Sequence, residues 1–270
     1  MDDPLWEGRP PDRLAAVSEG LQVSFANVVS RSISTPNIEV DLKKPSTFFD
    51  VPAVFFSKEE VVRSESPFHS TLIAKCSYGR PSLFDIKSHL QKMFFVQGDV
   101  VVSTLDPRHV LLRFANHSDY VKVWMKELLH IQGFLLQFMK WISNFESGWE
   151  SPFAPIWIFL PGLPIEFYQG NFLLSIVGTI GRVLKVDSAI INCTRTVAVR
   201  VCVELDLRAP VPSKIWIGCG GDGFYQKVVY DNPPLYCEIC CKLGHDSAVC
   251  KKAMKARHVA TVDIKRNGVV

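Results

Sequence analysis

Three cysteines and a histidine crowd into residues 237–250, directly behind the proline pair of the segment DNPPLYC. Cys237, Cys240, His245 and Cys250 spell C-x2-C-x4-H-x4-C. Chance placement at this composition gives that pattern in about two of ten thousand chains of this length. Thiolates and imidazole are ligands that Zn²⁺ takes in tetrahedral sites, and four protein ligands leave no open position for water. The spacing therefore predicts one structural zinc ion held by these four residues.

Two other interpretations of these cysteines stay open. A reduced loop could cluster its thiols by chance, and a redox C-x-x-C pair could use the same positions. The redox pair is typical of a strand-to-helix turn in a thioredoxin-like unit, whereas this one follows two prolines. Gly244 lets the chain bend so that the imidazole of His245 and the last thiolate approach from the other side. Cys241 is a spacer or, at most, a competitor of Cys240 for the metal.

The scattered cysteines and the first residues bear on the cellular compartment. Cys76, Cys193, Cys202 and Cys219 lie in apolar stretches, which is typical of small buried side chains rather than of a disulfide scaffold. The start, MDDPLWEG, lacks the basic-then-apolar pattern of a secretory signal, and no apolar run approaches the length of a membrane helix. We therefore expect an intracellular protein with reduced thiols, nuclear rather than cytoplasmic, without a membrane partner.

Residues 51–142 alternate strand and helix patterns. Apolar, β-branched runs predict strands at STLIAKCSY, DVVVSTLD, HVLLRFA and GFLLQFMKWI, and the polar turn DPRH joins the second to the third. Apolar residues at helical spacing predict helices at PSLFDIKSHLQKMFF, with Ser82 as N-cap, and at SDYVKVWMKELL, with Ser118 as N-cap. The order β-α-β-β-α-β predicts an α+β domain of the ferredoxin-like, RNA-recognition-motif-like kind.

Composition indicates the remaining boundaries. Residues 1–50 are rich in Ser, Pro and charge, which predicts a mostly disordered segment. The stretch SNFESGWESPFAP predicts a linker over 143–155. A second, smaller α+β unit is predicted over 156–235, with strands at IWIFLPGLP, RVLKVD, VAVRVCVELDL and IWIGCGGDGFYQKVVY and a helix in EFYQGNFLLSIVGTIG. The metal-binding segment 236–250 and a basic tail over 251–270 complete the chain.

Positive charge is concentrated at the C-terminal end. Residues 237–270 carry seven Lys/Arg against three Asp/Glu, whereas the rest of the chain has a net charge of −1. A basic tail attracts polyanions, usually nucleic acid or an acidic membrane surface, and a tail that stood alone would be no more than a solvated segment. Because this tail follows a zinc module, the predicted partner is single-stranded nucleic acid, RNA rather than DNA. The candidate contacts to phosphates and bases are Tyr236, Lys242, Leu243, Lys251, Lys252, Lys255 and Arg257.

The sequence contains no familiar catalytic motif. It has no H-E-x-x-H, no P-loop, no G-x-S-x-G and no glycine-rich dinucleotide fingerprint, so we expect a protein that is not an enzyme. A stacking platform for RNA is also missing from the predicted central strands, which offer only Phe114, and we expect that ring in the core. Trp124, Trp141, Trp157 and Trp216 fall at core-like spacing, which indicates packing.

Several stretches are similar to a plant domain-of-unknown-function family that carries a CCHC zinc knuckle at its end and is associated with LINE-type retrotransposons and derived genes. They span about 52–250 and are PAVFFSKEEV, SLFDIKSHLQKMF, IWIFLPGLPIEFY, IVGTIGRVLKVD, RVCVELDLRAPVP and YDNPPLYCEICCKLGH. The resemblance implies a zinc-binding, nucleic-acid-binding protein without catalytic activity. Two positions depart from the pattern: Glu238 replaces the aromatic residue that nucleocapsid knuckles place after the first cysteine, and Cys241 replaces a frequent glycine. Tyr236, Ile239 and Leu243 are the substitutes for base contact.

A second hypothesis belongs to a different functional class. A protein-interaction adaptor would hold a partner with the knuckle and form homo-oligomers through the α+β units. The slightly acidic body and the missing stacking aromatics favour the adaptor. The basic tail directly behind the knuckle favours nucleic acid, and nucleic-acid binding is therefore the first hypothesis.

Overall fold

The computed structural model describes residues 38, 40–188 and 198–254. These residues form a mixed α+β structure with several antiparallel sheets and few helices. No helix in this described part is long and apolar enough to cross a membrane. Most of the segment 1–50 lies outside the described residues, as do Cys193, Lys255 and Arg257.

A hairpin and a helix precede the first sheet. Strand β1 (Ser46–Phe48) pairs with β2 (Val51–Ala53), and helix α1 (Lys58–Glu65) follows. Ser57 caps this helix because its Oγ accepts a hydrogen bond from the Glu60 backbone N–H at 3.2 Å. The Glu60 carboxylate accepts one from the Ser57 backbone N–H at 2.8 Å, which completes a capping box. The hairpin thus lies at the end of the segment predicted as mostly disordered.

The first unit is a five-stranded antiparallel sheet with two helices. Its elements are β3 (Thr71–Ser77), α2 (Leu83–Phe94), β4 (Val100–Thr104), β5 (His109–Phe114), α3 (His117–Trp124), β6 (Leu128–Ile131) and β7 (Phe134–Lys140). The strands lie side by side in the order β4-β5-β3-β7-β6. The helices and strands follow the predicted order up to α3, but the chain closes with a hairpin where one strand was predicted.

A tight turn produces the additional strand. Gln132 and Gly133 both have positive φ, 49° and 85°, which is the backbone of a two-residue hairpin turn matched to strand twist. Helix α3 ends at Trp124. Leu128, which the sequence placed on the apolar face of that helix, lies on β6 and is half exposed.

Helix capping followed the prediction at one helix and departed from it at the other. Ser82 caps α2, and its Oγ accepts a hydrogen bond from the Asp85 backbone N–H at 3.0 Å. Helix α3 has Asn116 as its N-cap, without a side-chain cap hydrogen bond, so the prediction of Ser118 was wrong.

Both helices cover one face of the first sheet. Alternate strand residues point to this face because side chains alternate across a strand. The core between sheet and helices includes Leu72, Ala74, Ile86, Leu90, Val110, Leu112, Phe114, Tyr120, Trp124, Leu136 and Phe138. Phe114 is therefore a core residue, as predicted, and it is not available for stacking.

The second unit has a four-stranded antiparallel sheet, one α-helix and a separate hairpin. Its elements are β8 (Phe153–Pro161), α4 (Gly170–Gly178), β9 (Arg182–Val186), β10 (Ala198–Asp206), β11 (Lys214–Cys219), β12 (Asp222–Lys227) and β13 (Val229–Tyr230). The sheet order is β13-β8-β10-β9, and β11 pairs with β12. The single strand predicted at IWIGCGGDGFYQKVVY was wrong, because a turn with Gly220 at φ 65° divides it. Trp216 on this hairpin packs edge-on against Tyr225 but is 57% exposed, so it packs on the surface and not in the core that its spacing indicated.

Gly181 allows the chain after α4 to pass close to β10. A Cβ at this position would lie 2.4 Å from the carbonyl oxygen of Glu204, a backbone atom in the middle of the sheet. We therefore expect Gly181→Ala to lower the free energy of unfolding by about 1–3 kcal/mol, measured by chemical denaturation. Gly178→Ala is the matched control, because nothing lies within 4 Å of its Cβ and alanine favours a helix by up to about 1 kcal/mol. Equal effects of the two substitutions would contradict the close approach.

Candidate metal and nucleic-acid site

A short hairpin places the first two cysteines of the motif. Strand β14 (Tyr236–Cys237) pairs with β15 (Lys242–Leu243). The Cys241 backbone N–H donates to the carbonyl of Cys237 at 2.7 Å, and Cys241 itself has φ 54°. Gly244 follows with φ 94°, a conformation that glycine adopts without strain. These two bends let His245 and Cys250 lie close to Cys237 and Cys240.

The four predicted metal ligands lie together. The ligand atoms of Cys237, Cys240, His245 and Cys250 are all within 4.8 Å of one another, and the Cys240 Sγ and His245 Nε2 atoms are 3.3 Å apart. Tetrahedral zinc with Zn–S of about 2.3 Å and Zn–N of about 2.0 Å separates its ligands by about 3.5–3.8 Å. The cluster can therefore hold a metal ion and is compatible with zinc.

The thiols are buried in a small cluster of their own, with Ala253 from the helical turn over 251–254. Burial disfavours the Cys237 thiolate, but hydrogen bonds from the Cys240 backbone N–H and the Cys250 thiol prevail and lower the pKa of Cys237 to about 6. Burial and the neighbouring Cys237 and Cys250 sulfurs raise the pKa of Cys240 to about 11. Once one of these closely spaced thiols has lost its proton, the others resist deprotonation. A bound cation would neutralise the negative charges and so favour the thiolates.

Cys241 does not belong to this cluster. Its Sγ atom donates to the carbonyl of Glu238 at 3.5 Å and is not among the four ligand atoms that lie together. Of the two roles considered for this thiol, the structure favours the spacer.

Three of the predicted basic residues line a cleft that opens onto the cluster. Lys242, Lys251 and Lys252 are exposed and share this cleft of about 410 Å³ with Val249 and with three of the four ligands, Cys240, His245 and Cys250. Val249, which was not among the predicted contacts, is 57% exposed. Its position directly before Cys250, the last ligand, was the one sequence feature that could have indicated a surface contact. The cleft combines positive charge with an apolar wall, which suits a phosphate next to an unstacked base.

The opposite side of the knuckle faces the body. Leu243 lines a cavity of about 310 Å³ with Gln137 and Met139 of β7. The Tyr236 hydroxyl donates to the carbonyl of Glu150 at 3.2 Å, and burial raises the pKa of Tyr236 to about 12. Leu243 and Tyr236, both predicted as nucleic-acid contacts, are thus placed between knuckle and body and do not line the lysine cleft.

Glu150 in the linker joins the knuckle to the first sheet. Its carboxylate accepts from Lys75 Nζ of β3 at 2.5 Å and from the Leu243 backbone N–H at 2.8 Å. Its own backbone N–H donates to the carbonyl of Cys241 at 2.8 Å. Glu150 is buried, so an unpaired carboxylate here would be costly. We call Glu150 and these partners, with Tyr236, the Glu150 junction.

The linker runs across the sheet face that the helices leave uncovered. The Phe145 ring packs edge-on against His109 of β5 at 5.2 Å, and Glu150 binds Lys75, the register partner of His109 on β3. Ile73 and Met139 point to the same face, and both are buried. An RNA-recognition motif binds its ligand on this face, and here the face is occupied by the protein's own chain.

The first unit also has a counterpart among known families. Residues 65–148 match the family model of a domain of unknown function, DUF4283. The resemblance to a domain-of-unknown-function family is thus confirmed over this range. The DUF4283 match includes all five strands of the first sheet and extends past β7 into the linker, where it includes Phe145 but ends before Glu150. No curated protein and no solved structure matches the chain.

Proposed function

We propose that this protein binds single-stranded nucleic acid, RNA in preference to DNA, through a zinc knuckle, and that it is not an enzyme. The observation that carries the proposal is the cleft at the Cys/His cluster, which Lys242, Lys251 and Lys252 line. Lysines supply the charge that phosphates need, and Val249 and Ile239 are exposed apolar side chains that an unstacked base can cover. Lys255 and Arg257 would extend the basic surface.

Zinc is the metal that the donor set favours. Three thiolates and an imidazole select zinc over hard cations such as Mg²⁺ and Ca²⁺, which prefer oxygen ligands. Zinc supplies no chemistry to a substrate here. Its role is to hold the backbone of 236–250 in the shape that presents the lysines.

We further propose a supporting role for the ferredoxin-like first unit. Its strands β4-β5-β3-β7, with α2 and α3 on one face, support the ferredoxin-like arrangement with β6 added at the edge. The linker covers the other face, so this unit would position the knuckle and leave RNA binding to other surfaces. A retroelement-derived origin also remains part of the proposal and rests on the sequence resemblance.

The salt dependence of binding tests the nucleic-acid proposal. A labelled single-stranded RNA should bind the zinc-loaded protein with an affinity that falls as salt rises, and each phosphate contact contributes about 0.7 to the slope of log K against log salt. Lys251→Ala combined with Lys252→Ala should therefore flatten the slope by up to about 1.4, across all sequences alike. Fluorescence anisotropy between low and physiological salt gives the slope.

Two exposed lysines on helices α1 and α2 provide the control. Lys58→Ala combined with Lys92→Ala removes the same charge, and neither residue lines a cavity that the knuckle borders. This variant should keep the wild-type slope. If both double variants flatten the slope equally, binding depends on net charge alone and the lysine cleft has no special part in it.

One observation favours the adaptor as a second candidate function. The hairpin β1–β2 and the residues after it expose the aromatic side chains Phe48, Phe49, Phe55 and Phe56. Contiguous exposed apolar surface is typical of a protein-interaction site. Tight RNA binding by the fragment 1–235 would remove the knuckle from the nucleic-acid role and leave it as a device for holding a protein.

A further inference from the structure

A second concave surface lies between the knuckle, the linker and both sheets. It has a volume of about 610 Å³, and five aromatic side chains contribute to its walls. These are Phe68, Trp141, Trp149, Phe153 and Tyr236. No local sequence pattern indicates this groove, because its walls come from segments that are far apart along the chain. The aromatic content of the linker was the one available signal.

The aromatic walls differ in how firmly they are held. Phe68 and Trp141 stack on each other, with ring centroids 4.9 Å apart and planes inclined by 28°. The Tyr236 hydroxyl is tied to the Glu150 carbonyl. Trp149 is 43% exposed and lines the groove, and it belongs to neither of the two hydrophobic cores. Its ring is therefore accessible to a ligand. Such a preformed wall with an accessible ring suits a planar ligand.

The charges around the groove are close to balanced. Lys140 and Arg208 both lie over the Phe153 ring, at 4.6 and 5.7 Å from its centroid. Each is also ion-paired, Lys140 with Glu204 and Arg208 with Asp206. Glu65 and Glu238 also line the groove, whereas the Glu150 carboxylate at its wall is already bound to Lys75 and the Leu243 backbone N–H. A bare phosphate gains little here, whereas a neutral base with N–H donors meets both aromatic rings and carboxylate acceptors.

The groove and the lysine cleft meet on the knuckle backbone. Cys240 lines the lysine cleft, and the next residue, Cys241, lines the groove. A single strand whose phosphates lie at the lysine cleft can therefore place a neighbouring base at the groove. Duplex nucleic acid cannot do so, because its bases are stacked and paired.

We propose that this groove binds one unpaired nucleobase of the strand whose backbone the knuckle holds, with Trp149 as the stacking residue. The inference rests on the proposed nucleic-acid function and adds a base-binding site outside the lysine cleft. The groove would select single strands, and the lysine cleft would attract the phosphates.

The test compares two tryptophan variants of the full, zinc-loaded chain on two probes. The probes are a 12-nucleotide single-stranded RNA of mixed sequence without self-complementarity, and the same strand with abasic positions. Trp149→Ala should weaken binding of the complete RNA by about 5- to 150-fold, the range for loss of one stacked base. Its salt slope should not change, because stacking releases no counterions. On the abasic strand Trp149→Ala should bind like wild type.

Trp216→Ala is the matched control, since Trp216 is also exposed and lies on the separate β11–β12 hairpin. It should leave affinity for both probes unchanged. If wild type binds the RNA in a salt-dependent way and Trp149→Ala binds equally well, the groove proposal is overturned while the knuckle proposal stands. If wild type binds neither probe, both proposals fall. An equal loss in the two tryptophan variants would also overturn the groove, because it would reflect a general effect of losing an exposed ring.

Discussion

Replacing Cys250 with serine should weaken zinc binding by more than about 100-fold. Loss of a residue that only hydrogen-bonds a ligand already lowers metal affinity by about 10- to 100-fold, and loss of a ligand itself should cost more. Metal binding in modules of this size contributes of order 10–16 kcal/mol at neutral pH, so the segment around the site should unfold without metal. The two sheets should remain folded, because their cores share no residue with the small cysteine cluster. Metal analysis and hydrogen exchange of residues 236–254 measure the two effects.

Cys241→Ser separates ligand loss from a general effect of removing a thiol. Cys241 is adjacent to a ligand, yet its sulfur binds the Glu238 carbonyl and does not belong to the cluster. This variant should bind one zinc with wild-type affinity. Retention of full zinc affinity by Cys250→Ser, or an equal loss in the two variants, would contradict the four-ligand site.

Glu150→Ala should lower the free energy of unfolding by about 2–4 kcal/mol. The substitution leaves the Leu243 backbone N–H and the Lys75 ammonium group without their acceptor, and breaking a buried pair costs more than the pair contributes. The upper end is reduced because Lys75 keeps partial contact with water. Chemical denaturation of the zinc-loaded protein measures the change.

The same variant has a second, more specific consequence. In the wild type, chelation of the metal should increase hydrogen exchange in β3 around Lys75, because the Glu150 junction connects that strand to the knuckle. In Glu150→Ala this response should disappear. Glu146→Ala is the control, since Glu146 is an exposed linker carboxylate and should leave both stability and coupling unchanged. A chelation response that persists in Glu150→Ala would show that the coupling follows another route.

The parts of the molecule that could be predicted depend on short-range patterns. The four ligands were readable because their spacing within 237–250 already determines which atoms can meet. Ser82 as a cap and Phe114 as a core residue follow from local rules of helix starts and strand alternation. The β6–β7 hairpin was missed because Leu128 continues the apolar period of the preceding helix.

The junction and the groove depend on long-range contacts, which no local pattern contains. Glu150 binds Lys75 and Leu243, which are 75 and 93 residues away along the chain. In the sequence it is one charged residue of a segment whose Gly, Pro and Ser content indicates a linker. The aromatic rings of that segment were equally ambiguous, because nothing in their spacing distinguishes a ring that crosses a sheet from one that faces solvent.

The path of the linker over the first sheet also affects how this unit can be transferred between proteins. A piece cut at the predicted boundary, 51–142, would end before Phe145 and Glu150 and leave the buried face with Ile73 and Met139 open to water. Such a fragment would present a contiguous apolar face to water and would aggregate. The unit that folds as one body is therefore longer than its strands and helices suggest. A fragment designed to carry this sheet needs the segment that leads to the knuckle as well.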